Sequence, residues 1–371
     1  MGFRQSTLES VVSVDLFGGI YRGRKVLVTG HTGFKGSWLA LWLAQMGANV
    51  TGIALDPGCS PNHWDLLQLD IDDHRQDICD AKAVHEIIIK TQPEIVFHLA
   101  AQALVRKSYD DPLNNWAVNV QGTANVLEAC RHSSSVKAIV VVTSDKCYEN
   151  IGLERGYHEQ DTLGGYDPYS ASKAAAEFVA ASFRQSFFDV SGAPLLATVR
   201  AGNVIGGGDW SEDRLIPDLV RAIAVGASLE IRSPHATRPW QHVLDALSGY
   251  LLLGQRLLQR DREASAAWNF GPESDGNSQV IEVLQLMKQQ WPDLQWHLTE
   301  NSQPHEAAFL QLDSSKAKKQ LAWKPVWDRV NAVSLSAEWY RLYLHDQSIS
   351  SHQQLEKYIM DAHHNCCVWA G

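Results

Sequence analysis

Tyr169 and Lys173 stand four residues apart in "PYSASK", a spacing that puts both side chains on one face of a helix. A free phenol near pKa 10 is a poor base at neutral pH, but an ammonium one turn away favours the phenolate. The pair therefore suits removal of a proton from a substrate hydroxyl while the carbon beneath it gives up hydride. Taken alone, such a spacing is a surface pair in most proteins. Upstream, "VKAIVVV" ends in Thr143-Ser144-Asp145-Lys146. A segment fit only for a core thus delivers hydroxyls, a carboxylate and an amine at its last residues, although Asp-Lys is also a common surface turn.

Earlier in the chain, "TGHTGFKG" spaces Gly30, Gly33 and Gly36 as G-x-x-G-x-x-G. These glycines permit a tight turn, close approach of backbone to a pyrophosphate, and close helix-on-strand packing. The helix that follows turns its free N–H groups and dipole toward anionic oxygens. Thr32 and Phe34 belong to the same loop. A motif this short needs its context, a strand before and a helix after, and the sequence supplies both. Asp56, 26 positions beyond Gly30, is the acidic candidate for ribose hydroxyls or, alternatively, a turn residue before Pro57. Asp77 and Ile78 in "QDICD" are candidates for an adenine edge and face, or a plain loop before a helix.

The elements that must carry these residues alternate. "KVLVTG" (25–30), "NVTGIAL" (49–55), "EIVFHLAA" (94–101), "VKAIVVV" (136–142) and "PLLATVR" (194–200) read as strands. Helical periodicity covers 37–47, 80–92, 112–132 and 168–187. Strands of continuous rather than alternating hydrophobicity, separated by helices, mean a parallel sheet covered on both faces. The fold class expected is α/β, a doubly wound parallel sheet over 23–200 with a smaller, looser substrate domain over 201–345 whose segments return to the first. Helices are expected there at 215–226 and 245–259. Residues 1–22 read as an extension and 346–371 as a flexible tail.

Composition limits the alternatives. The 371 residues, 45% hydrophobic and 20% charged, describe a folded chain able to bury a core. A formal charge of -10 without a basic run speaks against a nucleic-acid footprint. The six cysteines form no CxxC pair, and no long apolar segment or signal peptide occurs, so reduced thiols in the cytoplasm and no membrane association are expected. The "HHNCC" stretch at 363–367 has soft-metal ligand types, but adjacent cysteines do not easily reach one tetrahedral ion. No metal site is expected.

With these motifs in register, the chain resembles the extended short-chain dehydrogenase/reductase family. Ser144, Tyr169 and Lys173 fall on that family's Ser/Thr, Tyr and Lys positions, and "HLAA" (98–101) on its fourth-strand motif, with Leu99, Ala100 and Ala101 beside the cofactor. Within the family it is most similar to nucleotide-sugar 4,6-dehydratases. Ser-Asp-Lys-Cys-Tyr replaces their usual Thr/Ser-Asp-Glu, and "GHTGFKGSWL", "EQDTLGGYDPYSASK" and "RPWQHVLD" resemble the branch that takes a CDP-sugar.

The resemblance implies NAD as cofactor and oxidation at the sugar's C4. Tyr169 would act as base, Ser144 would bind the same oxygen, and Asp145 would be the acid for the departing 6-hydroxyl. Lys146, where relatives have Glu, would act either as a base made neutral by burial or as a cation beside the developing enolate. It further implies substrate contacts from Asn203, from Arg214, Ile216 and Pro217 near the base, and from Arg238 on the pyrophosphate, with His242 nearby and Arg106 a further phosphate or sugar contact. Arg238 and Arg106 could instead each be an ordinary surface or interface arginine, an alternative that weighs more for Arg106. A homodimer or dimer of dimers through paired helices, with Trp116 and Phe178 at the interface or in the core, and a role in deoxysugar biosynthesis for lipopolysaccharide O-antigen are also implied by the resemblance. A 4-epimerase or reductase needs no acid at Asp145, and a nonenzymatic sensor needs no intact Ser-Tyr-Lys set.

Overall fold

The computed structural model describes residues 16–231, 233–273, 277–298 and 310–371. Its frame is a seven-stranded, wholly parallel sheet. The strands are β1 (Lys25–Thr29), β2 (Asn49–Ala54), β3 (Asp72–Arg75), β4 (Ile95–His98), β5 (Ala138–Val142), β6 (Leu195–Ala201) and a last strand, Ala267–Phe270, ordered Ala267–Phe270, β6, β5, β4, β1, β2, β3. Adjacent residues of one strand fill opposite layers. Val26, Val28, Phe97 and Val140 join one core cluster, whereas Leu27, Val96, Ile139 and Val141 join the other. Both faces are dry, which is why these strands read as unbroken apolar runs.

The first layer is covered by helix α1 (Phe34–Gln45) and by the helix Val243–Leu258, which contributes Leu244, Leu247 and Leu251. The second is covered by the helices Ala81–Thr91, Thr123–Arg131 and Pro168–Ser186. A further apolar cluster joins the helices Leu215–Ala224, Val280–Gln290 and Arg329–Asp346 around Leu219, Leu284, Met287 and Trp339.

Four elements differ from expectation. β3 is polar at all four positions and sits at the sheet edge, exposed enough that hydrophobic patterning does not mark it. The long helix expected over 112–132 is interrupted by a π turn at Ala117–Gly122. The strand Ala267–Phe270 pairs with β6 from far along the chain. The C-terminal segment expected to be flexible forms the helix Ser351–His364, with Leu355, Tyr358 and Trp369 in the main core. Phe17 stacks on Trp369 with ring centroids 5.2 Å apart, so Leu16, Phe17 and Tyr21 of the expected extension are core as well. Residues 1–15 lie outside the described residues.

Candidate active site

The order of the strands reverses between β1 and β4, and at such a point the loops leaving the two strands diverge and open a crevice. The glycine loop follows β1, and Leu99, Ala100 and Ala101 follow β4. Both line one cleft of about 2180 Å³. Gly30 has φ 76° and a Cβ there would lie 2.7 Å from the Ala100 amide nitrogen, so no other residue fits. A Cβ at Gly36 would collide with the Gly30 carbonyl oxygen, whereas Gly33 meets only that oxygen, at 3.3 Å, and faces the cleft.

Helix α1 starts at this point with Gly33 as its N-cap. No side chain caps it and no acidic residue stands in its first turn. Its free N–H groups open into the cleft beside Thr32, Phe34 and Lys35. The cradle fits the diphosphate of a dinucleotide.

At one end of the cleft lie Asp77 and Ile78. Asp77 Oδ1 accepts a hydrogen bond from the Cys79 amide at 2.8 Å, and Ile78 packs against Gly122, where a Cβ would come within 2.5 Å. Asp56 is not among the residues that line the cleft. Its side chain is 87% exposed and 3.7 Å from Arg75 Nη1. It lies two residues past the end of β2, where the chain has turned outward. The acid that does reach the glycine loop is Asp73 of β3, whose Oδ1 lies 2.9 Å from Nε2 of the buried His31. Hydrophobic patterning marks neither Asp73 nor its strand, because every residue of β3 is polar.

At the cleft's centre the helix Pro168–Ser186 meets the end of β5. Asp167 caps this helix, accepting from the Ser170 amide at 2.9 Å, and Pro168 occupies its first turn. Tyr169 and Lys173 therefore both face Ser144, Asp145 and Lys146 across the cleft. Lys173 Nζ donates to the Val142 carbonyl at 3.3 Å, and burial brings its ammonium down to about 8. Burial pushes Tyr169 up to about 12, against a hydrogen bond with Ser144 that lowers it. The expected depression of the phenol by Lys173 does not set its direction: burial is the largest influence and raises it.

Ser144 Oγ donates to Asp145 Oδ1 at 3.0 Å and accepts from the Lys146 amide at 3.2 Å. Burial raises the Asp145 carboxyl above its ordinary range, while Lys146, Lys35 and Arg238 pull the other way.

Four groups here, Lys35, Tyr250, Glu177 and Arg200, are not marked by the sequence motifs. Half-buried Lys35 lines the cleft, with burial bringing its ammonium down to about 8 and its Nζ 6.0 Å from the Tyr250 ring centre. The Tyr250 hydroxyl is itself buried without a partner. Beneath Lys173, Glu177 accepts from Thr143 at 2.6 Å, Thr198 at 2.7 Å, and Arg200 Nε and Nη2 at 2.9 Å each. Arg200 Nη1 donates to the Tyr148 hydroxyl at 2.7 Å, tying β6 to the loop that follows β5. Glu177 stands one turn beyond Lys173 on the same helix face, a signal that the spacing already held.

On the other side, Asn203, Arg214, Ile216, Pro217 and Arg238 all line the cleft. Arg214 Nη1 donates to buried Asp209 at 2.8 Å, and that carboxylate raises the guanidinium's hold on its proton. Arg106 also reaches the cleft, paired at 2.6 Å with Asp213 across its mouth. His242 does not reach it. It is fully buried between Trp38 and Trp327, and its Nδ1 accepts from the Leu244 amide at 3.3 Å to cap the helix Val243–Leu258. Burial brings its imidazole down to about 3. Arg238 and Trp240, a few residues earlier, line the cleft, and His242 turns toward the core.

Comparison with known proteins agrees with this geometry. Residues 27–334 match the model of the family described as GDP-mannose 4,6 dehydratase. The CDP-glucose 4,6-dehydratase of Salmonella typhimurium is 44% identical over 91% of this chain and 97% of its own. Among solved structures, the epimerase Mth375 of Methanothermobacter thermautotrophicus superposes with a TM-score of 0.78 at 25% identity, covering 95% of this chain and 98% of that one. MoeE5 in complex with UDP-glucuronic acid and NAD gives a TM-score of 0.71 at 26% identity, covering 85% and 99%.

Proposed function

The chain belongs to the GDP-mannose 4,6 dehydratase family, and we propose that it converts CDP-D-glucose to CDP-4-dehydro-6-deoxy-D-glucose and water. The observation that carries the reading from family to reaction is Asp145. A buried carboxyl whose burial favours the protonated form, hydrogen-bonded to Ser144 at the site of Tyr169, is what loss of a 6-hydroxyl needs and what an epimerase does not. The choice of CDP-glucose rests on the extent of identity with the Salmonella typhimurium enzyme.

NAD, when bound, supplies a reversible store for the hydride that passes from C4 to C6. The Gly30–Gly36 loop and the start of α1 hold its diphosphate. Asp77, Ile78, Leu99, Ala100 and Ala101 line its course, with Tyr169 and Lys173 at the reacting end. Tyr169 takes the proton of the 4-hydroxyl, and Ser144 hydrogen-bonds the same oxygen. Lys173 adds positive charge behind the phenol. Asp145 protonates the 6-hydroxyl as it leaves. Lys146 serves the C5 step, as a base when its amine is neutral or as a cation beside the enolate when it is charged. Arg238 suits the sugar diphosphate, because a planar guanidinium bonds phosphate oxygens in pairs. Asn203 holds the sugar side, and Arg214, Ile216 and Pro217 the nucleoside side. Arg106 is engaged with Asp213 and closes the mouth.

A second copy of the chain fits the helices Pro112–Trp116 and Pro168–Ser186, which leave Leu113 80%, Trp116 39% and Phe178 59% exposed. Such apolar side chains on neighbouring helices suit a homodimer. Six free cysteines suit the reducing cytoplasm, and among the described residues no helix is long and apolar enough to cross a membrane.

The test is incubation of the purified protein with CDP-, UDP-, GDP- and dTDP-glucose, followed by mass spectrometry. CDP-glucose is expected to lose one water with no net consumption of NAD. Isomerisation without loss of water overturns the reading. For Lys146, deuterium exchange at C5 in Lys146→Ala is expected to fall, and unchanged exchange removes it from that step.

A further inference from the structure

The parallel strands β5 and β6 are paired with Val142 level with Val199. Three residues beyond these, Asp145 follows β5 and Gly202 follows β6, so the two leave the sheet side by side, and both line the cleft. A Cβ built on Gly202 would lie 3.1 Å from Asp145 Oδ2 and 2.7 Å from Pro239 Cγ. Gly202 has no positive φ, so its backbone would accept any residue. What requires glycine here is the close approach of the carboxyl on one side and the proline ring on the other.

Of these two neighbours the proline is the firmer. Pro239 is buried in the short strand Thr237–Pro239, level with Asn277 of an antiparallel partner, and just beyond it the Gln241 amide donates to the Asn203 carbonyl at 3.2 Å. The Asp145 carboxyl turns about a broad, soft torsion. A methyl at position 202 is therefore admitted by moving the carboxyl. Its Oδ1 accepts from Ser144 Oγ at 3.0 Å, and a protonated carboxyl that accepts at one oxygen carries its proton on the other. Oδ2, the oxygen beside Gly202, is thus the one that holds the proton for the departing 6-hydroxyl.

We propose that Gly202 is a positioning residue for the catalytic acid: having no side chain, it lets the Asp145 carboxyl lie against the end of β6 with Oδ2 in place to protonate the leaving hydroxyl. On the dehydratase reading, which this inference presupposes, one of the two early steps depends on that placement. Elimination breaks the Asp145 O–H, C5–H and C6–O6 bonds, forms the C5–C6 double bond and releases water. Oxidation comes first, passes the O4 proton to Tyr169 and hydride to the cofactor, and asks nothing of Asp145. Gly202 therefore matters to elimination and not to oxidation.

Two sugars separate the steps. The NAD-loaded protein is mixed with CDP-glucose or with CDP-xylose, the same nucleotide sugar without C6. Reduced cofactor is followed by its near-ultraviolet absorbance and water loss by mass spectrometry. CDP-xylose has a C4 hydroxyl to oxidise but no 6-hydroxyl to lose, so it reads oxidation alone. In Gly202→Ala, cofactor reduction by CDP-xylose is expected within about twofold of wild type, while dehydration of CDP-glucose falls roughly a hundredfold, the cost of a misplacement of about 1 Å. With CDP-glucose, reduced cofactor builds to a higher level than in wild type, because the ketone waits for its acid. In Asp145→Asn, which has no proton to place, adding Gly202→Ala lowers the residual dehydration no further. If Gly202→Ala does not fold, Gly202→Ala/Pro239→Ala is compared with Pro239→Ala. The contact with the proline ring is then gone, the one with Asp145 remains, and the ratio of dehydration to oxidation is still expected to fall. An equal loss with the two sugars, or an unchanged ratio in the folded variant, overturns the positioning role. A wild type that oxidises CDP-glucose without releasing water overturns the dehydratase reading instead.

Discussion

Replacing Glu177 by Gln probes the buried charge pair beneath the site. The change keeps shape and volume but removes a carboxylate that takes four hydrogen bonds, two from Arg200. The side chains of Arg200 and Glu177 are 3% and 4% exposed, so solvent cannot take the carboxylate's place. Burial pushes Glu177 up, yet Arg200 and the two threonines hold it below the ordinary range, so it is charged in the folded protein. Breaking a buried pair from one side costs about 3–5 kcal/mol, because the other charge is left behind.

With a urea dependence of about 3 kcal/mol per molar, that loss lowers the unfolding midpoint by roughly 1–2 M. Tryptophan fluorescence reads this directly. The double variant Glu177→Gln/Arg200→Met removes the stranded charge and is expected to recover part of the loss.

A second readout is functional. Burial lowers Lys173, and the Glu177 charge raises it. Without that charge Lys173 gives up its proton at lower pH, and the alkaline limb of the activity profile moves to lower pH. A midpoint shift under about 0.3 M together with an unmoved alkaline limb would refute the account of Glu177 as a charged support.

Three other outcomes are expected from the geometry. Tyr169→Phe keeps nucleotide-sugar binding in calorimetry but lowers kcat by roughly 10²–10⁴-fold, the usual share of a positioned acid or base. Gly36→Ala drives a methyl into the Gly30 backbone and is expected both to weaken NAD binding in a fluorescence titration and to lower the unfolding midpoint, because the loop must shift to admit it. Asp245 is fully buried, accepts from the Val326 amide at 2.7 Å and the Tyr358 hydroxyl at 2.8 Å, and burial raises its carboxyl to about 7. A folded-state value above the unfolded one contributes stability below about pH 4 that is lost as pH rises toward 7. Asp245→Asn lacks this titration, so its urea midpoint should vary less than wild type between pH 4.5 and about 7.5.

Chemistry that depends on residues close in sequence was legible before any coordinates. The glycine loop needs only a strand before it and a helix after it, and Tyr169 and Lys173 need only one helix to share a face. The parallel sheet was legible too, because burial on both faces removes the polar alternation from β1, β4 and β5. Where burial is one-sided or absent, as in β3, that signal disappears, and His31's partner Asp73 disappears with it.

What only the tertiary structure decided is which way polar groups point and what lies behind them. Asp56 and His242 have suitable chemistry and suitable positions in the chain, but one faces solvent and the other the core, and side-chain direction there depends on packing against distant residues. Lys35 became part of the site because α1 brings it opposite Asp145 and Tyr250, residues more than a hundred positions away. Glu177 and Arg200 met because the helix Pro168–Ser186 lies over β6. The same holds for the protonation states. Residue types alone place Tyr169 as a base and Asp145 as an acid, but burial moves both upward, and that burial is contributed by the whole fold.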